Sequence, residues 1–242
     1  MYSRTERIRF SEVGPDGKLT LPALVNYFQD CSTFHSEDLG VGLSYLQERN
    51  CAWLMSFWQV TVEEYPELGE EVRIETRPYA FEHFMGKRNF ELFSASGRSL
   101  ARADSLWFYY NAGTERPERP PAEMIEIYGM DERITMDYAG SRKIPLPDQM
   151  EAREPFSVRR IQLDTNGHVN NGQYVRMAEE YFPEGKVTEF RMEYKKAARL
   201  GDRIYPKVGR QDGWTVAALC DEKGRPYAVA AVQGNFSEVE RG

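Results

Sequence analysis

The segment from Leu163 to Tyr181 concentrates side chains that can act on a substrate. It begins LDTNGHVNNGQYV, and its polar side chains are those of Asp164, Asn166, His168, Asn170 and Asn171. A carboxylate and an imidazole this close in sequence can activate water and move protons near neutral pH. A neighbouring amide side chain can hydrogen-bond a carbonyl oxygen that becomes negative. The combination predicts acyl transfer to water, and the alternative is a well-capped turn with a surface histidine.

The flanking sequence predicts that these residues lie in a turn between a strand and a helix. Residues 156–163 alternate apolar and polar side chains, which is typical of a strand. After the turn, apolar residues recur every three or four positions, which predicts a helix capped by Asn170 or Asn171. The first amides of a helix favour nearby negative charge. We therefore expect the backbone amides around Val169, Asn170 and Asn171 to stabilise an oxyanion.

Composition and charge narrow the class of protein. The chain has 242 residues, of which 41% are hydrophobic and 29% are charged, as in an ordinary globular protein. The formal net charge of -7 argues against a nucleic-acid-binding protein. No apolar run reaches the length of a membrane helix, and the start, MYSRTERIRF, lacks the apolar segment of a signal peptide. We predict a cytoplasmic protein without a membrane span.

The histidines and cysteines show no spacing typical of a metal site. They are His35, His83, His168, Cys31, Cys51 and Cys220. The cysteines are odd in number and scattered, which favours reduced thiols. We expect neither a metal nor an organic cofactor.

The chain contains two copies of one pattern, in which a turn precedes a helix and long apolar strands follow. A proline-rich stretch with little periodicity separates the copies and is interpreted as a connector. Each copy predicts a long antiparallel sheet wrapped around a central helix, so the fold class is α+β. The predicted boundaries are 1–111 for the N-terminal domain, 112–152 for the connector and 153–242 for the C-terminal domain.

Alignment of the two copies places a different set of residues opposite the turn that contains Asp164, Asn166 and His168. The aligned pairs are Gly14 with Asp164, Asp16 with Asn166, Gly17 with Gly167 and Lys18 with His168. The first copy therefore lacks the combination of acid, amide and imidazole. We predict a single active site in the C-terminal copy, with the other copy forming a wall or a substrate tunnel.

The N-terminal copy contains apolar side chains that could line an apolar cavity. Trp53, Met55 and Phe57 alternate along a predicted strand, and Phe28 lies on the apolar face of the first predicted helix. These residues are predicted to line an acyl pocket. The alternative is that they only pack the core, as large aromatic residues usually do.

The turn LDTNGHVNNGQYV closely resembles the signature of acyl-acyl-carrier-protein thioesterases of the plant plastid and bacterial type. The resemblance extends over nearly the whole chain and weakens in the connector. It implies a tandem double hot-dog fold and hydrolysis of the thioester between a fatty acyl chain and the phosphopantetheine arm of an acyl carrier protein. It also implies that Asp164, Asn166 and His168 are catalytic. Two alternatives remain, an acyl-CoA thioesterase and a non-catalytic acyl-binding module, and a homodimer is one option for the quaternary state.

One segment departs from the family pattern. Plant members have a Glu-Cys pair soon after an EYRR-like segment, and here the corresponding MEYKKAAR places Ala197 and Ala198 there. A cysteine nucleophile is therefore not expected at that site, which shifts the chemistry to Asp164 and His168. Either Asp164 activates water or attacks directly while His168 moves a proton, or His168 is the base and Asp164 orients it.

Basic residues near the site are candidates for contact with the carrier protein, because carrier proteins are acidic. We predict docking at Lys195, Lys196 and Arg199, which follow the MEY segment. Other basic pairs are Lys87-Arg88, Arg142-Lys143 and Arg159-Arg160. The alternative for each pair is a solvated strand end.

Overall fold

Residue contacts divide the chain into two units. A computed structural model describes residues Met1 to Phe236. The first unit comprises Met1–Ser56 and Val62–Tyr138, and the second comprises Phe57–Thr61 and the chain from Ala139 onward. The segment 112–152, predicted as a connector, is therefore divided between the units after Tyr138. No helix in the described part of the chain has the length and apolar character needed to cross a membrane.

The first unit is an antiparallel sheet with helices packed on it. Its main strands follow the order β1-β3-β4-β5, and β6 extends the sheet by pairing with β5. The elements are β1 (Tyr2–Arg7), a 3-10 turn (Phe10–Glu12), α1 (Leu21–Asp38), α2 (Leu43–Glu48), β2 (Cys51–Val62), β3 (Glu71–Glu82), β4 (Met85–Ser94), β5 (Ser99–Asn111), β6 (Arg116–Pro117) and α3 (Ala122–Tyr128).

Helix α1 is the central helix of this unit, as the sequence predicts. The Thr20 side chain accepts a hydrogen bond from the amide of Ala23, and Pro22 occupies the first turn, where a missing N–H costs nothing. The buried face includes Leu24, Val25, Phe28 and Cys31. The ring of Phe28 lies 5.4 Å from that of Phe90 on β4, so the helix packs directly on the sheet.

The second unit repeats the arrangement with shorter connections. The Phe57–Thr61 part of β2 pairs with β9, and the sheet continues in the order β12-β11-β10, with β7 and β8 both pairing with β10. The elements are β7 (Glu151–Ala152), β8 (Phe156–Ser157), a 3-10 turn (Arg160–Gln162), α4 (Asn171–Glu179), β9 (Gly185–Tyr194), β10 (Arg203–Gln211), β11 (Trp214–Cys220) and β12 (Pro226–Phe236).

The strand predicted over residues 156–163 was wrong over most of its length. Only Phe156–Ser157 is a strand, and Arg160–Gln162 is a 3-10 turn. The amide of Arg159 donates to the Gln162 side chain at 2.7 Å, and the amide of Gln162 donates to the Arg159 carbonyl at 3.0 Å. This reciprocal pair closes a turn that alternation of apolar residues alone does not reveal.

The proline-rich segment between the copies is fixed to each unit by a buried amide side chain. In the first unit the Asn89 oxygen accepts the amide of Ile134 at 3.2 Å. In the second unit the Gln59 oxygen accepts the amide of Ala139 at 2.7 Å. Each bond satisfies a backbone amide in a segment with little regular structure. Each part of the irregular segment is therefore hydrogen-bonded to a strand of its own unit.

Candidate active site

Backbone hydrogen bonds close the turn from Asp164 to His168. The amide of Asp164 donates to the carbonyl of His168 at 2.7 Å, and the amide of Gly167 donates to the carbonyl of Asp164 at 3.1 Å. Gly167 has a φ of 73°, a conformation that glycine adopts without steric cost. The turn that the sequence predicts before the helix is therefore confirmed. The turn places the acid and the imidazole at its two ends.

The carboxylate of Asp164 is held inside this turn. Its Oδ1 accepts the amide of Asn166 at 2.8 Å and the amide of His168 at 3.1 Å. Within Met1–Phe236, Oδ2 has no hydrogen-bond partner. One carboxylate oxygen therefore supports the backbone, and the other remains available to a substrate or a water molecule.

The imidazole of His168 is partly buried and the side chain of Asn166 is exposed. Neither side chain makes a hydrogen bond to another described residue. The backbone of His168 pairs with that of Arg199 in an isolated antiparallel bridge, which fixes the end of the turn. The structure thus brings the three predicted catalytic residues into one turn without linking their side chains to each other.

The start of helix α4 uses its amides differently from the prediction. The amide of Val169 donates to the carbonyl of Ala198 at 2.9 Å, and the amide of Asn170 donates to the carbonyl of Gln162 at 2.9 Å. The side chain of Asn170 caps the helix by accepting the amide of Gly172 at 2.9 Å. Capping by Asn170 is as predicted. The amides of Val169 and Asn170 already have partners, so the structure gives them no free donor for an oxyanion.

Asn171 is the third residue of the predicted oxyanion group, and it is the first residue of α4. Its carbonyl oxygen accepts the hydroxyl of Tyr194 on β9 at 3.0 Å. This bond anchors the beginning of the helix to the sheet of the same unit.

Tyr174 is a supporting residue that the sequence did not single out. Its hydroxyl oxygen accepts the amide of Ala198 at 2.7 Å, and both residues are buried. Burial is the main reason that the pKa of Tyr174 is raised. In the sequence Tyr174 was one apolar position in the helical pattern. The available signal was its hydroxyl, because a buried tyrosine hydroxyl usually finds a partner.

The two turns of the duplicated pattern have the same backbone bonds. In the first unit the amide of Gly14 donates to the carbonyl of Lys18 at 2.9 Å, and the amide of Gly17 donates to the carbonyl of Gly14 at 3.0 Å. Gly17 has a φ of 74°, which matches the 73° of Gly167. The alignment of the two turns by sequence is therefore confirmed. Lys18 occupies the position of the imidazole.

The four residues predicted to line an acyl pocket have different environments. Phe28 is fully buried against the sheet, Met55 and Phe57 are 7% and 4% exposed, and Trp53 is partly buried. The Trp53 ring lies 5.1 Å from the ring of Tyr109. Phe28, Trp53 and Met55 belong to the first unit, whereas Phe57 belongs to the second. Phe28 is thus a core residue of α1 in the described structure.

Two of the three predicted docking residues have acidic partners within their own unit. Lys195 contacts the carboxylate of Glu193 at 2.7 Å, and Lys196 contacts that of Asp221 at 2.7 Å. Arg199 is exposed, and among the described residues no carboxylate lies within 4.0 Å of its guanidinium. The charges of the two lysines are therefore partly compensated, and the charge of Arg199 is not.

Metal ligation has no candidate in the described part of the chain. No group of three or more His, Cys, Asp or Glu side chains in Met1–Phe236 is placed to hold a metal ion.

Comparison with protein families covers both halves of the chain. The model of the acyl-ACP thioesterase N-terminal domain matches residues 1–128, and that of the C-terminal domain matches residues 147–228. This chain belongs to the acyl-ACP thioesterase family. The family resemblance that the sequence predicts is confirmed.

Plant enzymes are among the curated relatives of this family member. The palmitoyl-acyl carrier protein thioesterase, chloroplastic, of Arabidopsis thaliana is 29% identical over 216 residues, which cover 81% of this chain and 52% of the relative. The dodecanoyl-[acyl-carrier-protein] hydrolase, chloroplastic, of Cinnamomum camphora is 27% identical and is matched over 92% of this chain and 63% of its own length. The chain therefore spans about half to two-thirds of the length of these relatives.

Solved structures support the fold. An acyl-ACP thioesterase from Bacteroides thetaiotaomicron superposes with a TM-score of 0.85 at 22% identity, covering 96% of both chains. The 12:0-ACP thioesterase from Umbellularia californica superposes with a TM-score of 0.84 at 24% identity, covering 98% of this chain and 97% of the other. The predicted α+β double hot-dog fold is confirmed.

Proposed function

We propose that this family member hydrolyses the thioester between a fatty acyl chain and an acyl carrier protein, releasing a free fatty acid and the carrier protein. The observation that supports it most is the turn in which Asp164 and His168 are held at opposite ends, with Asp164 Oδ2 unoccupied by the described residues. Family membership and the names of the plant relatives support the same activity.

The proposed mechanism uses Asp164 as the base. Water adds to the thioester carbonyl carbon while its proton passes to the free oxygen of Asp164. The side-chain amide of Asn166 donates a hydrogen bond to the carbonyl oxygen as it becomes negative. When the tetrahedral intermediate collapses, the C–S bond breaks and the departing thiolate receives, through His168, the proton that Asp164 took from water, which returns Asp164 to its ionised form. The two backbone bonds to Asp164 Oδ1 keep the carboxylate oriented for the first step.

A cysteine nucleophile has no place in this scheme. Ala197 and Ala198 occupy the positions of the Glu-Cys pair, and the backbone of Ala198 supports Val169 and Tyr174. Burial raises the pKa of Cys220, the cysteine of the C-terminal copy, which disfavours its thiolate. Direct addition of water is therefore the simpler proposal.

The test is release of free thiol from two donors of the same acyl chain. We expect purified protein to act on acyl-carrier protein with a higher kcat/KM than on acyl-CoA. His168→Ala should lower kcat by about 100-fold or more, a typical effect of removing a proton-transfer group. His83→Asn is the control, because His83 is exposed and its φ of 55° is tolerated by asparagine.

The alternatives give different results in the same assay. Equal or faster release from acyl-CoA would identify an acyl-CoA thioesterase. Binding of acyl substrates without release from either donor would identify an acyl-binding module, and the proposed function would be wrong.

A further inference from the structure

Four exposed arginines lie in the segments that adjoin the Asp164–His168 turn. They are Arg159, Arg160, Arg199 and Arg203. Among residues Met1–Phe236, no carboxylate lies within 4.0 Å of the guanidinium of any of the four, whereas the guanidiniums of Arg191 and Arg225 form ion pairs. Unpaired positive charge is notable in a chain with a formal net charge of -7. We name these four residues, together with Ile161 and Leu200, the arginine surface.

Hydrogen bonds hold the segments of the arginine surface together. The amide of Val158 donates to the carbonyl of Asp202 at 2.9 Å, and the amide of Gly201 donates to the carbonyl of Val158 at 3.2 Å. Arg203 pairs in register with Ser157, and Arg199 pairs with His168. The arginines are therefore fixed relative to the catalytic turn by the backbone of one unit.

The nearest acidic residue in sequence does not neutralise this surface. Asp202 is partly buried, and its Oδ2 accepts the amide of Arg199 at 2.9 Å and the hydroxyl of Tyr227 at 3.3 Å. The carboxylate is thus directed to the backbone and to Tyr227 rather than to an arginine side chain.

The first copy provides an internal comparison, because its backbone bonds are the same. The amide of Leu19 donates to the carbonyl of Pro66 as that of Val169 donates to Ala198, which sets the correspondence between the copies. At the positions of Arg159, Arg160, Arg199 and Arg203 the first copy has Arg9, Phe10, Glu67 and Glu71. Arg9 is itself paired with Glu6 at 3.5 Å. At these four positions, arginines without an ion pair therefore occur only on the copy that has the imidazole.

Two exposed apolar side chains accompany the arginines. Ile161 is 87% exposed and Leu200 is 52% exposed. A surface that combines an apolar contact with several unpaired arginines is typical of a protein-binding site. Arginine is also the side chain best suited to bind carboxylates, since its guanidinium can donate two parallel hydrogen bonds.

We propose that the arginine surface binds the carrier-protein part of the substrate through acidic side chains, with Ile161 and Leu200 as the apolar contact. This inference rests on the proposed function and specifies where the partner binds. An acidic protein complements both the charge and the apolar contact, whereas the overall negative charge of the chain would otherwise repel it. Docking next to the turn brings the acyl thioester to Asp164 and His168.

The experiment compares two thioesters of the same acyl chain, one on the carrier protein and one on neutral pantetheine. The variant Arg160→Glu with Arg203→Glu should lower the ratio of kcat/KM for the carrier substrate to that for the pantetheine substrate at least tenfold. Raising the salt concentration should reduce the same ratio for the unchanged protein and have less effect on the variant. Arg210→Glu is the control, because Arg210 is exposed, has no ion pair among the described residues and lies on the same strand β10.

A binding measurement keeps the inference separate from the proposed activity. Carrier protein loaded with a non-hydrolysable acyl amide should bind the unchanged protein and Arg210→Glu alike, and bind the double variant at least tenfold more weakly. Unchanged binding, or an equal loss of activity on both thioesters, would overturn the docking surface. If the unchanged protein binds the loaded carrier at this surface but hydrolyses neither thioester, the proposed function fails and the docking surface stands.

Discussion

Asp164 and Asp16 accept hydrogen bonds from equivalent amides of the two turns, although they are not aligned with each other in the sequence. Oδ1 of Asp164 accepts the amide of His168 at 3.1 Å, and Oδ1 of Asp16 accepts the amide of Lys18 at 3.1 Å. Each turn therefore uses a carboxylate to hold its last amide. Asp164 has a structural role that does not depend on catalysis, and the two roles can be separated.

Asparagine and alanine at position 164 should separate these roles. Asp164→Asn keeps an oxygen that can accept both amides but loses the charge, so we expect stability within about 0.5 kcal/mol of the unchanged protein. Loss of the proposed base should lower kcat/KM by about 100-fold, equivalent to about 3 kcal/mol. Asp164→Ala loses the hydrogen-bond acceptor as well, so its free energy of unfolding should also be lower by about 1 kcal/mol.

The measurements are denaturant unfolding and thioester hydrolysis of the same samples. Asp16→Ala is the matched control, since it should lose stability through its own turn while retaining activity. An Asp164→Asn protein with full activity would falsify the assignment of Asp164 as the base.

Alanine substitution of the turn glycines tests whether the geometry of one turn alone matters for activity. Gly17 and Gly167 have φ values of 74° and 73°, and a Cβ added at either would meet no atom within 4 Å. The cost of Gly17→Ala and Gly167→Ala is therefore conformational, about 1–2 kcal/mol for each. Only Gly167→Ala should lower kcat/KM, because it displaces His168. Gly167→Asn should restore part of the loss, since asparagine tolerates this conformation.

Thermal unfolding and hydrolysis rates of the Gly17 and Gly167 variants provide the comparison. Equal losses of activity in both alanine variants would mean that general destabilisation, rather than the position of His168, controls the rate.

Removing the Tyr174 hydroxyl should destabilise the protein. Tyr174→Phe leaves the amide of Ala198 buried without a partner, which costs about 1–3 kcal/mol. Tyr205→Phe is the control, because Tyr205 is partly buried in the same unit and its hydroxyl makes no hydrogen bond within the described residues. Hydrogen exchange at the Ala198 amide should accelerate only in Tyr174→Phe. Equal stability of the two variants would contradict the supporting role of Tyr174.

His35 should make the stability depend on pH below neutrality. Burial, and then the nearby Arg88 guanidinium, lowers the pKa of His35 from 6.5 to about 4, and Arg88 donates to its Nδ1 at 2.9 Å. The unfolded chain therefore binds a proton near pH 6.5 that the folded chain binds only near pH 4. As pH falls through this window, His35 should remove roughly 3 kcal/mol of stability, and below pH 4 its contribution should stay constant.

His35→Gln tests this expectation, because glutamine can still accept from Arg88 and does not titrate. Denaturant unfolding at a series of pH values should give a shallower fall between pH 6.5 and 4 for the variant. Parallel curves for the two proteins would show that His35 is not the group responsible.

Local sequence signals predicted the helices and the turn well. Asn170 was predicted as one of two possible caps because its side-chain oxygen lies directly before an apolar helical pattern and can accept a free helix amide. The turn that contains Gly167 was predicted because it is a short polar run between two periodic segments. These predictions succeeded because the interactions involved span only a few residues.

Predictions failed where a distant partner decided the outcome. The amide of Val169 was expected to be free at a helix start, but the carbonyl of Ala198 binds it. The ion pair of Lys196 with Asp221, 25 residues further along the chain, was likewise not foreseen from the sequence, while docking at Lys195 and Lys196 stays a prediction. Residues so far apart in the chain meet only when the strands and the helix pack together, and sequence spacing does not encode such a meeting.

The sequence by itself determined the duplicated α+β pattern, the family and the turn that holds Asp164, Asn166 and His168, since periodicity and turn chemistry are local properties. The tertiary structure decided which groups remain available. It placed one oxygen of Asp164 in the turn and left the other open, and it left the arginines beside the turn without acidic partners. Availability depends on the neighbours that packing supplies, and these come from distant parts of the chain.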